Sequence, residues 1–506
     1  MKRKDRILEE FLYLDLIIGL KKLIITQLLK KEFRMNFVFY DLETTGRNST
    51  WDQIIQVGAI LVDEQFNEIE RFEERCRLRP GIVPEPGALI VNNTSIEMLN
   101  SVNLSHYDLI KKIQYLFKRW SPATFIGYNT INFDEEFLRK SFFKLLFEPY
   151  ITQFNGNKRA DVLGITRSCK FYYPDTLNVG LNEKGNHVFK LDNLTYLNNI
   201  NHNAHDAMGD VEATIELSKN IHKKSNSVWT AGLNGSNKID VDNFILKNKV
   251  FCMDEYFFGK YSSHVVTYVC KNYFNYPQCF DLMHDPIDYF DLSIKELKMK
   301  IKHRPKFIRE IKNNKNPILM DQSYINKISL YNEIGIETLN QRADLIRKNP
   351  DFCNKIKTIF FEEYEEKEIT KSQLDLLAED SLYFGGFPDN YDKNKMVDFH
   401  NADWKEKYLI SNQFRDQRFK YFAQRVIYEE APFILPKNDY ENIHKIIAKQ
   451  ALSYDNEKWN TLPKAYHQLD SLRNKYEEKD DKTRLTFLED LDGFLQEFEK
   501  KFNNIN

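Results

Sequence analysis

The sequence predicts an α/β chain in three parts: a mixed-sheet domain, an α+β region and a helical C-terminal region. Three observations lead there. Alternating apolar runs come first and then give way to strand and helix in turn, the order of an α/β layer. Residues 245–292 are rich in aromatic and β-branched side chains. From 390 to 502 the pattern turns to helical periodicity with a charged surface, acidic over 477–499. A length of 506 residues fits about three domains of roughly 150 residues.

Taken in order, residues 1–34 stand apart. Lys2, Arg3, Lys4 and Arg6 precede an apolar stretch, Leu14 to Leu20, as in a signal peptide. Asp5, Glu9, Glu10 and Asp15 interrupt it and no small-residue cleavage site follows, so the segment reads as an appended amphipathic helix, with Met35 as the working start. Residues 36–41, 54–62 and 71–78 read as three strands joined by hairpins. A helix over 105–119, a strand over 124–128 and helices over 134–146 and 207–223 complete a domain spanning 35–225. The polar stretch 223–237, with Gly232, Gly235 and several Ser and Asn residues, reads as a linker. Val265 to Val269 is a strand in the second region, 226–380, and helices over 338–366 close that region. The stretch 295–315 carries nine Lys or Arg against Glu296 and Glu310, and fits either a solvated surface or one that tracks a nucleic acid. Leu382 to Pro388 marks the start of the last region, 381–506.

Lys plus Arg is 72 and Asp plus Glu is 74, a formal charge of −2. That balance excludes binding of nucleic acid by bulk charge, so any such partner must be held by a local patch. Six cysteines at 76, 169, 252, 270, 279 and 353 form no Cys-x-x-Cys pair and suggest neither zinc nor disulfides. With no apolar run near the roughly 20 residues of a membrane span, the expectation is a cytoplasmic protein with reduced thiols and no membrane partner.

Asp41 and Glu43 lie two apart at the end of a strand, so both carboxylates project to one side. Adjacent like charges repel and raise each other's pKa unless a cation intervenes. Thr44, Thr45 and Gly46 follow as a tight exit where backbone can approach a ligand. Asp134 sits where a strand hands over to a helix, a position the helix dipole favours for any acid. Asp210 falls in another helix start, with His205 on the loop before it. A free imidazole pKa of about 6.5 suits a proton acceptor near neutrality. Four carboxylates from three segments plus a histidine are the parts of two-metal phosphodiester hydrolysis, with two divalent cations about 4 Å apart. Oxygen ligands favour Mg²⁺ or Mn²⁺ over zinc.

These motifs, Tyr40-Asp41-Leu42-Glu43-Thr44-Thr45-Gly46, Gly127-Tyr128-Asn129 through Phe133-Asp134, and His205-x-x-x-x-Asp210, resemble those of the DEDDh 3′→5′ exonucleases. Pro84 to Ala88, Asn203 to Met208, Arg347 to Pro350 and Asp380 to Tyr383 are similar to stretches of the exodeoxyribonuclease I family within that group. The resemblance is dense through 210, patchy over 240–390 and thin in the last hundred residues. It implies a ribonuclease H-like exonuclease domain, an SH3-like α+β domain and an α-helical C-terminal domain around single-stranded DNA. It implies that Asp41, Glu43 and Asp210 hold Mg²⁺ directly, that Asp134 completes the second ion's shell, and that His205 takes the proton of the attacking water. The product implied is a 5′-mononucleotide released from a 3′ end, in DNA repair or recombination. It further implies a monomer that docks the acidic C-terminal tail of single-stranded DNA-binding protein.

By the same resemblance, Arg139, Tyr150, Phe154, Arg167, Lys190, Lys238, Asn275, Lys306 and Asn314 contact DNA, with Glu43 also touching substrate. Lys190 stands where the family usually has arginine, which keeps the charge but loses the bidentate fork. Cations track phosphates and aromatic faces stack bases. Phe154 fits core packing as well as stacking. An RNA 3′-end nuclease or a proofreading module shares the chemistry, and the 2′-OH that separates them is not read by these residues. A degenerate nuclease domain that only holds DNA would not need all five chemical positions.

Overall fold

The computed structural model describes residues 35–257, 259–371 and 377–503. The expected N-terminal helix therefore lies outside the described residues. β1 (Phe37–Thr44), β2 (Ile54–Val62) and β3 (Glu68–Arg75) form consecutive antiparallel hairpins, and β4 (Thr124–Gly127) and β5 (Lys158–Asp161) continue the sheet in parallel. Its order is β3-β2-β1-β4-β5. β3 begins at Glu68 rather than 71, and as an edge strand it carries Glu70, Arg71, Glu73 and Glu74, charges that blunt edge-to-edge pairing. Between β3 and β4 runs α1 (His106–Trp120). Leu109, Ile110, Ile113, Leu116 and Phe117 repeat at helical spacing on its buried face, and the Ser105 hydroxyl caps its start by accepting from Asp108 N–H at 3.1 Å.

The two faces of this sheet serve different neighbours. Val38, Tyr40 and Leu42 of β1 point into a core shared with Phe419, Leu491 and Phe502 of the C-terminal helices. Phe37 and Phe39, displaced by one residue, point into a second core with Trp229, Val265 and Phe352. A one-residue alternation thus sorts the chain into two cores, each built jointly by the first sheet and a later region. Asp41 and Glu43 share the parity of Phe37 and Phe39 and lie on the second face.

On that face lie α3 (Val162–Tyr172), α4 (Leu191–Leu197), α5 (Ala207–Lys224) and α6 (Asn226–Asn234). The stretch read as a linker is thus largely helix. Its polar composition hides Val228 and Trp229, which are buried on one face, with the Trp229 ring 6.0 Å from Phe37. Packing against an existing core overrides the weak local propensity of Ser, Asn and Gly.

The middle region holds a five-stranded antiparallel sheet of β6 (Phe251–Phe257), β7 (Lys260–Lys271), β8 (Pro277–Asp281), β9 (Ile308–Glu310) and β10 (Leu319–Asp321), in the order β9-β8-β7-β6-β10. Helices Ile336–Arg347 and Pro350–Lys371 pack on β7. The C-terminal region is helical throughout its described residues, from Asn390 to Asn503. Among the described residues all six cysteines are free, and no helix is long and apolar enough to cross a membrane.

Candidate active site

β1 pairs Asp41 with Gly58 of β2. A Cβ at Gly58 would lie 2.7 Å from the backbone of Ala207 and Met208. Glycine here lets the first turn of α5 descend onto the strand pair, and with it Asp210. Asp206 caps that turn by accepting from Gly209 N–H at 3.2 Å, and is itself tied to β2 by Gln56 (2.8 Å) and to β3 by Arg75 (3.2 Å). Oxygens of Asp41, Glu43 and Asp210 consequently lie within 4.8 Å of one another.

Asp134 is the first residue of the next helix, α2 (Asp134–Lys144), and is 3% exposed. Its Oδ1 accepts from Leu42 N–H at 3.1 Å, which ties the carboxylate to the β1 backbone at the residue between Asp41 and Glu43. It lies outside the three-oxygen group.

Burial drives the Asp41 carboxyl well above the ordinary carboxylate range, with Asp134, Asp210 and Glu43 adding repulsion. Glu43 is pushed up to about 8, by burial first and then by Asp210, against a partial offset from Arg75. Asp134 is raised by burial, with Asp161 and Glu43 adding to the rise against its backbone hydrogen bonds. Arg75 gives its ion pair to Asp206 rather than to Glu43. Three oxygen donors crowded together at this cost are a fitting set for a hard divalent cation.

His205 is exposed and its backbone is left-handed, with φ of 64°. The histidine that touches the cluster is His202. Its Nε2 is hydrogen-bonded to Asp210 Oδ1, its Nδ1 lies 2.9 Å from Thr195 Oγ1, and its side chain is 6% exposed. Sequence reading passed over His202. The His-x-x-His spacing of 202 and 205 was the available signal, but it acquires meaning only with Thr195 and Asp210 beside it.

The remaining candidates fall into two groups. Arg139 is 6% exposed, paired with Glu135 (3.2 Å), close to Glu136 (3.6 Å) and lying 5.3 Å from the Tyr150 ring centroid. Tyr150 is half-buried against Phe154, which is 53% exposed, so Phe154 does not belong to the core. Arg167 stacks on Tyr256 at 3.6 Å. Asn314 donates to Tyr276 Oη at 3.0 Å, and its carbonyl accepts from Arg159. Lys190, Lys238, Asn275 and Lys306 are exposed. The basic stretch 295–315 is not a uniform cationic surface. Arg309 donates to Asp281 (2.6 Å) and Glu255 (2.8 Å) inside the middle region, and Lys298 pairs with Glu366 (2.9 Å). A count of charges along the sequence cannot see these partners.

Residues 38–218 match the exonuclease family, and 376–498 match the exonuclease I C-terminal domain. Exodeoxyribonuclease I of Buchnera aphidicola (subsp. Acyrthosiphon pisum) is 29% identical over 409 residues, covering 76% of this chain and 94% of that protein. The crystal structure of E. coli exonuclease I in complex with a dA16 oligonucleotide has the same fold, with a TM-score of 0.76 at 22% identity over 92% of this chain and 100% of the other. The exonuclease I of an SSB/exonuclease I structure with inhibitor CFAM gives a TM-score of 0.75 at 22% identity, again over 92% and 100%. With the acidic cluster on an exonuclease sheet and the exonuclease I C-terminal domain behind it, this chain belongs to the exodeoxyribonuclease I family.

Proposed function

We propose that the protein degrades single-stranded DNA from its 3′ end to 5′-mononucleotides by two-metal hydrolysis, in DNA repair or recombination. The observation that carries this reading is the convergence of Asp41, Glu43 and Asp210 within 4.8 Å, with Asp134 buried beside them. These residues would hold two divalent cations, Mg²⁺ or Mn²⁺, with Asp134 in the shell of the second. When bound, the cations supply a lowered water pKa and charge stabilisation on the leaving oxygen.

The chain's own groups do the rest. His205, on the exposed loop before α5, accepts the proton of the attacking water, while His202 holds the Asp210 carboxylate in place. Water oxygen bonds to the terminal phosphorus as the bond to the 3′-oxygen of the preceding nucleotide breaks. Tyr150, Phe154, Arg167, Lys190, Lys238, Asn275, Lys306 and Asn314 would hold the strand, with Arg139 steadying Tyr150. A cytoplasmic monomer that also docks the acidic tail of a single-stranded DNA-binding protein completes the proposal, in keeping with the SSB/exonuclease I structure that shares this fold.

Incubation with oligonucleotides labelled at either end, as DNA and as RNA, with and without Mg²⁺, tests it. The expected result is Mg²⁺-dependent release of mononucleotides from the 3′ end of single-stranded DNA. Attack from the 5′ end, or equal digestion of RNA, would overturn it.

A further inference from the structure

The loop between β9 and β10 of the middle region reaches the start of α2. Its turn, closed by Lys315 N–H on Lys312 O at 2.9 Å, brings Asn314, Lys315 and Asn316 to the first domain. Asn314 O accepts from Arg159 Nη2 at 3.1 Å, and Nη1 of the same guanidinium donates to Glu135 at 3.2 Å. Lys315 Nζ lies 3.5 Å from Glu136 Oε1. Asn316 Oδ1 accepts from Asp161 N–H at 2.8 Å. Two of these neighbours therefore answer Glu135 and Glu136, and the third leads, through Asp161, to Asp134.

Asp161 ends β5 and spends its carboxylate on backbone. Oδ1 accepts from Asn129 N–H (2.9 Å) and Leu163 N–H (3.0 Å), and Oδ2 accepts from Ile131 N–H (3.2 Å). Asn129 and Ile131 belong to the loop 129–133 that delivers Asp134, and Asn129 bends it with a φ of 65°. Asn316 is itself buried, with a φ of 50° that asparagine tolerates better than most residues. Its Nδ2 donates to Gly232 O at 2.7 Å, on α6, the helix that Trp229 anchors beside Phe37. One amide thus uses donor and acceptor together as a strut between an anchored helix and the strand end that holds the Asp134 loop. Without it the Asp161 N–H and the Gly232 carbonyl would lose their partner.

We infer that Asn316 is a positioning residue for the hydrolysis, acting through Asp161 to fix the 129–133 loop and with it the Asp134 carboxylate beside Asp41 and Glu43; this rests on the exonuclease reading above. The Asp134 carboxylate is tethered at Leu42 N–H, and the loop sets the place from which it reaches that tether. All the acids of the site lie within 35–225, yet the middle region fixes where one of them stands. Asn316 is 7% exposed and lies behind Asp161, so it meets neither strand nor cation. Its loss should accordingly appear in turnover and in ion affinity, not in affinity for the strand.

Asn316→Gly keeps a left-handed backbone comfortable and removes both hydrogen bonds. In the full chain it should lower kcat on a labelled oligothymidylate about tenfold with KM unchanged, and weaken Mn²⁺ binding in calorimetry by about tenfold, at a temperature where the variant is folded. Asp161→Asn, of equal size, sets a donor against one of the loop's N–H groups and should lower the same two quantities. The double variant should fall little below Asp161→Asn alone, because Asn316 acts through Asp161. Unchanged kcat and Mn²⁺ affinity in Asn316→Gly, with or without a lower melting temperature, would overturn the inference. A rise in KM alone, or additive losses in the double variant, would do the same. Should Asn316→Gly not fold, Asp161→Asn decides: intact turnover and Mn²⁺ affinity there reject the positioning role. If the wild type neither binds Mn²⁺ nor digests the oligothymidylate, the exonuclease reading itself fails; the wild type thus judges that reading, and the variants judge Asn316.

Discussion

Asp134 and Glu135 are consecutive residues, 3% and 1% exposed, and their carboxyls meet opposite surroundings. Glu135 accepts from Tyr40 Oη (3.0 Å), Thr152 Oγ1 (3.0 Å) and Arg159 Nη1 (3.2 Å), and pairs with Arg139 (3.2 Å). Burial alone would raise its pKa, but Arg159 and Arg139 outweigh burial and hold it below the ordinary value. Asp134, turned the other way toward Asp41 and Glu43, is raised by burial and by other acids. One side of the helix start is an acid whose cations the fold provides. The other is a group of acids that stays costly until a cation arrives from solution. Burial therefore does not separate structural acids from chemical ones; the source of the counter-charge does.

The sharpest way to break this contrast is to remove one acid from each side. Asp41→Ala should reduce release of labelled nucleotides by roughly three orders of magnitude or more, as loss of a group that acts only in concert does. The same variant should melt no lower than the metal-free wild type, because a raised carboxyl has gone. Normal digestion by this variant would reject the catalytic assignment.

Glu135→Ala should act on stability instead. It leaves Arg159 and Arg139 buried without their shared partner, a loss of about 3–5 kcal/mol that a urea midpoint would register. The pH dependence follows from the direction of the shift. The folded Glu135 pKa is below its unfolded value, so its contribution is present above about pH 4.5 and is lost as pH falls. Glu135→Gln should accordingly flatten the acid limb of the stability curve. An unchanged limb would place the acid sensitivity elsewhere.

How much of this was legible beforehand differs between the two sides. Asp41 and Glu43 share a face because strand side chains alternate, and that rule needs no tertiary knowledge. Four strands of the first sheet and the helices over 105–119, 134–146 and 207–223 followed from the same periodicities, whereas β5, α3 and α4 were not read from the sequence. The helix over Asn226–Asn234 did not, because its Ser, Asn and Gly residues speak for a loop and only burial of Trp229 beside Phe37 reverses them. Arg309 stood in a basic stretch that read equally as solvated surface or as a track, and its partner Asp281 could not be seen because it lies on another strand. Glu135 could not be told from Asp134 by periodicity alone, since Arg159 and Tyr40 reach Glu135 from distant positions in the chain, and only the family motif singled out Asp134. Periodicity places a side chain on a face; it does not say what waits there.

Cation binding sharpens the contrast from the other direction. Mg²⁺ or Mn²⁺ at about a hundredfold above its dissociation constant should stabilise the wild type by roughly 2.7 kcal/mol, read as a rise in melting temperature. Asp41→Ala should lose most of that rise, whereas Glu135→Gln should keep it despite a lower starting point. An equal rise in both variants would mean that the stabilising cation binds away from the acidic cluster.

The smallest expected effect concerns His202, which belongs to neither side. It bridges Thr195 and Asp210, so it fixes one oxygen of a carboxylate that must also face a cation. A histidine in that position orients the ligand without contacting the ion, and partners of this kind change metal affinity by roughly 10–100-fold when removed. His202→Leu keeps the volume and removes both hydrogen bonds, and should weaken Mn²⁺ binding by about tenfold in calorimetry. His202→Gln, with an amide able to reach Asp210, should recover part of that loss. Purely structural support would instead lower the melting temperature of both variants and leave Mn²⁺ affinity unmoved in whatever remains folded. Comparing affinity and melting in the same pair of variants thus decides whether His202 serves the cation site or only the loop that carries it.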